Sequence, residues 1–163
     1  MFSSIVVKPS SVIAALGLGL ALAATPATAE TAAGPDGLIK VKSAYTVDET
    51  IDRIKKDIAA KGIQFFMAVD QSQLAAKAGI TLRPSTLLVF GNPPLGAQFL
   101  TSNPYSGLDW PVRLLVLQDE SGAVYAAYTD FDWIARRHGI TNRGEQFAKA
   151  TSVVESITST IRR

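Results

Sequence analysis

The sequence predicts an α+β fold: two layers, with a mostly antiparallel sheet and helices packed on one face. Three observations predict it. Two strand-like runs, Val112 to Gln118 and Ala123 to Thr129, flank Asp119-Glu120-Ser121-Gly122, which is the composition of a hairpin turn. The helical stretches each carry a single apolar stripe, so each has one face to cover and one to leave wet. Strand and helix patterns alternate early and then give way to a strand, the hairpin and two closing helices, with no internal repeat and no point at which a second domain separates.

Taken in order, Leu38 to Ser43 alternates in character through Lys40 and Lys42, as a strand with one wet face does. Thr46-Val47-Asp48-Glu49 is a capping box. The Thr46 hydroxyl can accept from the Glu49 amide while the Glu49 carboxylate reaches back to Thr46 N–H. The helix it opens carries Val47, Ile51, Ile54 and Ile58 on one stripe and stops at Gly62. Ile63 to Val69 reads as a strand, with Ile63, Phe65, Met67 and Val69 on one side and Gln64, Phe66 and Ala68 on the other. A short helix over Gln71 to Ala78 follows, with Leu74, Ala75 and Ala78 expected inward and Gly79 as its stop. Ser85 to Phe90 is an apolar strand, Gly91-Asn92-Pro93-Pro94 a turn, and Leu95 to Thr101 a short apolar helix. After the hairpin, Asp130 is the expected N-cap of a helix over Phe131 to His138. Glu145 to Ile161 closes the chain as a helix buried through Phe147, Val154, Ile157 and Ile161.

The composition suits one globular domain of 163 residues, 47% hydrophobic and 18% charged. With no cysteine, disulfides, thiolate nucleophiles, Cys-ligated zinc and iron–sulfur clusters are excluded. One histidine, His138, is too few for a zinc site of the usual kind, so the expectation is no metal and no cofactor. Residues 1–29 read as a signal peptide: Lys8 is the only charge, Val12 to Ala24 is apolar, and Ala27-Thr28-Ala29 fits the small-x-small cleavage rule. The apolar stretch is short for a membrane span. Export to the periplasm or beyond is expected, with residues 30–37 as a flexible lead and 38–163 as the domain; retention of residues 1–29 as an anchor is the alternative. Without Lys8 the remainder carries 15 basic against 14 acidic groups, evenly mixed, which argues against nucleic-acid binding and stable membrane insertion after cleavage. The fold must then be held by its core alone.

Several segments together resemble the domain of unknown function 302 family: Thr46-Val47-Asp48-Glu49-Thr50, Gly62-Ile63, Leu82-Arg83-Pro84, Phe90-Gly91-Asn92-Pro93 and Gly107-Leu108-Asp109-Trp110-Pro111. The resemblance runs from about Ser43 to Ile140. It implies a compact α+β domain that tends to associate as a homodimer, with no established biochemical activity. Two departures stand out. An acidic-to-His pair often follows the strand where this chain has Asp70-Gln71, and Trp110 replaces the usual aliphatic residue before the proline.

Candidate ligand-binding residues are Arg83, Asn92, Asp109 and Trp110. Arg83 offers a bidentate donor for a carboxylate and Asn92 an amide from a rigid turn, while Asp109 and Trp110 are placed to line a pocket mouth. Each has a structural alternative: Asn92 as a turn former, Arg83 paired with an acid, Asp109 capping a turn, Trp110 filling core or a dimer contact. His138, beside Arg136 and Arg137, reads as a helix end. No Gly-x-Ser-x-Gly elbow, Walker loop or paired carboxylate motif selects a catalytic group. The expectation is therefore a non-catalytic dimeric binding or interaction module with a possible small-molecule ligand. The alternative is a metal-independent hydrolase using Asp, Arg and His138.

Overall fold

A computed structural model of the chain describes residues 33–162 together with Met1. The expected signal peptide, Met1 apart, and the first part of the expected lead lie outside the described residues. The rest of that lead is tied down: Gly37 N–H donates to the Gly34 carbonyl at 2.9 Å and Asp130 N–H to the Gly37 carbonyl at 2.8 Å. Gly37 has φ 72°, and a Cβ there would stand 2.3 Å from the Trp133 ring, so this turn admits only glycine.

The elements run β1 (Leu38–Lys42), α1 (Val47–Ala60), β2 (Gln64–Asp70), α2 (Gln71–Lys77), β3 (Ser85–Gly91) and α3 (Pro93–Ser102). A 3₁₀ turn (Pro104–Leu108) follows, then β4 (Val112–Gln118), β5 (Val124–Thr129), α4 (Phe131–Arg137) and α5 (Gly144–Ser159). The capping box forms as its sequence implies, with Glu49 N–H donating to the Thr46 hydroxyl and Thr46 N–H to the Glu49 carboxylate, each at 3.3 Å. Asp130 caps α4 and Asp70 caps α2.

One antiparallel sheet has the order β1-β5-β4-β3-β2, so β1 and β2 are its edges. Its faces differ. Ile39, Val41, Leu88, Phe90, Leu114, Val116, Ala126 and Tyr128 point under the helical layer and are buried. From that layer Ile54 and Ile58 of α1, Phe99 of α3, Ile134 of α4 and Phe147, Val154 and Ile157 of α5 close the core. At about 25 cal/mol per Å² of apolar area, each such side chain contributes roughly 1.5–3 kcal/mol, which lets the fold stand without a disulfide.

Two expectations are corrected. In β2 the alternation does not hold, because Phe65 pairs with Phe90 but Met67 with Val89, leaving Phe66 as an extra residue in a bulge. One extra residue inverts the parity, so Phe65 faces the core while Met67 and Val69 face the open side. The expected inward side of α2 is also absent: Leu74 and Ala78 are exposed, and no residue of α2 is buried. The helix is seven residues long and lies beside the edge of the sheet, where no further layer covers it.

Candidate functional site

Two groupings emerge from the four candidate residues. Trp110 and Asn92 meet at one end of β3. Asn92 is the N-cap of α3, its Oδ1 accepting from Leu95 N–H at 3.1 Å, with Pro93 and Pro94 at the first helical positions, where a missing N–H costs nothing. The expected turn is therefore the first turn of the helix itself. Trp110 lies over two glycines. A Cβ on Gly96 would stand 1.8 Å from the indole and one on Gly91 2.7 Å away, so no other residue fits beneath this ring. Phe99 meets Trp110 edge-on with centroids 6.1 Å apart and stacks on Phe147 at 4.3 Å, fixing the indole to the core.

Below Trp110 opens a cleft of about 300 Å³ between the end of the sheet and the helices. Phe90, Gly91, Asn92, Leu95 and Val112 form one wall, Ala150, Val153 and Val154 of α5 the other, and Lys61 and Lys149 stand at the rim. α5 is held there by Arg143, whose Nε donates to the Gln98 carbonyl of α3 at 3.1 Å. Lys61 lies 2.7 Å from Asp57 Oδ2, close enough for an ion pair although off the angle of a hydrogen bond. The α5 side of this cleft was not foreseen. The sequence signal for it is Lys149 and Val153, four apart at the margin of the buried stripe of the last helix.

Asp109 belongs to the second grouping. Its carboxylate accepts from Arg113 Nη2 at 2.9 Å, from Arg137 Nη1 at 2.9 and 3.1 Å, and from His138 Nε2 at 2.6 Å. The Asp109 and His138 side chains are 4% and 6% exposed. The Asn103 amide donates to the His138 carbonyl at 2.8 Å, so the cluster joins the 3₁₀ turn, the start of β4 and the end of α4. An ionised carboxylate offers about four acceptor sites, and here all are used. Opposite it, His138 Nε2 donates, and no hydroxyl is hydrogen-bonded to the ring among the described residues. The void beside Asp109 measures about 10 Å³, at the lower limit for one water. The arrangement suits locking three elements together; a hydrolytic site would need room for a scissile bond and a nucleophile beside the imidazole.

Arg83 stands apart from both groupings. It precedes β3 whereas Asn92 follows it, a separation of roughly 20 Å for seven extended residues. Its nearest acid is Glu120 at 3.8 Å, with both side chains largely exposed, a pair that contributes little. Among the described residues no cluster of three metal-ligating side chains occurs.

Comparison with known proteins identifies the family. The family described as "Domain of unknown function DUF302" matches residues 39–161. Among curated proteins, "Fluoride-specific ion channel FluC 1" of Brucella suis biovar 1 is 38% identical over 104 residues, covering 64% of this chain and 41% of that protein. The namesake in Brucella abortus biovar 1 is also 38% identical, with 38% of its length covered. The chain thus spans about two-fifths of the length of these relatives. A solved structure, an uncharacterized conserved DUF302 protein from Bacillus stearothermophilus, shares the fold with TM-score 0.70 at 18% identity, covering 77% of this chain and 98% of that one. With the match spanning most of its length, the chain belongs to the DUF302 family.

Proposed function

We propose that this protein is an exported, non-catalytic binding module that works as a homodimer, with the cleft beneath Trp110 as its ligand site. The carrying observation is the cleft: concave, walled by apolar side chains, and rimmed by a few polar groups, as small-molecule sites are. Two glycines beneath the indole also keep the Trp110 wall in one place. Arg83 and Asp109, lying elsewhere, have no part in it. Export is supported by the apolar run before Ala27-Thr28-Ala29.

Homodimerisation is supported by the open face of the sheet. Leu87, Val89, Leu115 and Leu117 form its centre, with Lys40, Lys42 and Arg113 toward its margin, the pattern of an apolar middle and charged rim found at subunit contacts. A second copy is the occupant proposed, consistent with the association expected of the family.

The test is a thermal-shift screen of purified protein against a small-molecule pool. A hit that raises Tm and is lost in Val153→Phe, which fills the cleft, supports the reading; hits unaffected by that substitution contradict it.

A second reading rests on the curated relatives, named as fluoride-specific ion channels. Among the described residues no helix is long and apolar enough to cross a membrane. In this reading the domain is an extramembrane accessory of such a channel. Pull-down of a fluoride channel on the purified domain is expected if so; channels that stay in the flow-through contradict it.

A further inference from the structure

We propose that the cleft beneath Trp110 takes a small carboxylate with an apolar body, anchored through Lys149; this rests on the ligand-site reading above. The polar groups around the cleft are unbalanced in one direction. Lys149 lines it from α5, and its ammonium has no ion pair or hydrogen bond among the described residues. The other rim cation, Lys61, is already neutralised by Asp57. Asn92 spends its Oδ1 on Leu95 N–H, which leaves the amide NH₂ as a free donor at the rim. Two free donors, one of them cationic, thus stand at the rim of a space whose walls are Phe90, Leu95, Val112, Val153 and Val154.

A neutral apolar ligand would leave these donors unanswered, and a cation would be repelled by Lys149. An anionic head with a hydrocarbon or aryl body answers both halves of the site. The 300 Å³ holds about ten water-sized groups at ~30 Å³ each, the scale of a medium-chain fatty acid or an arylalkanoate. A much longer chain would protrude.

The experiment uses the emission of Trp110 in a Trp133→Phe background, which leaves Trp110 as the one fluorescent indole, titrated with octanoate, 1-octanol and octylammonium at low ionic strength. Octanoate is expected to bind about two- to five-fold tighter than 1-octanol, the range of one exposed ion pair, and octylammonium weakest. Raising the salt should erase the octanoate advantage. Lys149→Ala should make octanoate and octanol equal, and Lys149→Arg should preserve the preference. Lys149 is exposed, so neither variant is expected to disturb folding. Equal binding of octanoate and octanol to the unsubstituted protein, no response to Lys149→Ala, or silence with all three ligands overturns the carboxylate assignment. The ligand-site reading falls separately, if octanoate binding survives Val153→Phe.

Discussion

Asp109 illustrates how a single side chain acquires its role from distant partners. Three cationic or donor groups, two of them more than twenty residues away, converge on its carboxylate. Asp109→Ala should cost about 2–4 kcal/mol, somewhat below the roughly 3–5 kcal/mol of a fully buried charge pair losing one member, because Arg113 and Arg137 are half-exposed. Urea unfolding measures it, and a loss under 0.5 kcal/mol, the level of a surface substitution, would contradict the lock. Tyr128 sets an alkaline limit. Burial first, then the negative charge of Glu155, push its hydroxyl up to about 12 from 10.0. The folded state therefore holds the proton that the unfolded chain releases, so the stability is complete below pH 10 and is lost as pH rises from 10 toward 12, in all about 2–3 kcal/mol. Tyr128→Phe should flatten that limb of the stability curve. At the acid end, hydrogen bonds from Ser72 to Asp70 and from Ser121 to Asp119 hold both carboxyls below 3.8, so both contribute above that value and fade as pH falls through their lowered values. Of these residues, the sequence showed the helix-end position of His138 and the capping role of Asp130, whereas the capping of α2 by Asp70 emerged only in the structure. It could not show that His138 and Asp109 touch, because nothing local encodes a contact across 29 residues.

At the scale of elements, local chemistry was legible where a motif completes itself within one turn. The capping box at Thr46 and the hairpin at Asp119-Glu120-Ser121-Gly122 are such cases. The start of α3 reads from the sequence as a turn, because Asn followed by two prolines suits a turn as well as it suits an N-cap with Pro at the opening of a helix. Asn92→Ala should lower stability by about 1 kcal/mol through the lost cap. Gly96→Ala should cost more, about 1–3 kcal/mol, because a methyl there must displace Trp110. In a Trp133→Phe background, near-ultraviolet circular dichroism should lose the Trp110 signal in Gly96→Ala and keep it in Asn92→Ala; an unchanged spectrum in the glycine variant would contradict the packing described. The bulge at Phe66 was not legible, since period-two patterning counts residues and a bulge adds one without changing composition. The exposure of Leu74 was hidden for a related reason: a helix of seven residues shows an apolar side whether or not anything covers it.

For the whole molecule, layer order and sheet class followed from the sequence because stripes on the long helices and the central strands agree about one core. Strand order did not, since β1 could join either edge of the hairpin and the chain alone does not choose. The open sheet face belongs to this scale. Met67→Glu puts a charge on an exposed residue of that face, at little cost to the monomer. It should lower the sedimenting mass from dimer to monomer; a mass that stays dimeric excludes this face as the contact. The cleft beneath Trp110 is likewise a product of the assembled molecule, joining the ends of β3 and α1 with the flank of α5. The most direct measurement is a ¹⁵N–¹H correlation spectrum of the labelled protein titrated with a small-molecule pool. Shifts concentrated at Gly91, Asn92, Leu95, Ala150 and Val153 are the predicted result. Shifts gathered instead around Asp109 and His138, or spread along the surface with no focus, would contradict the account.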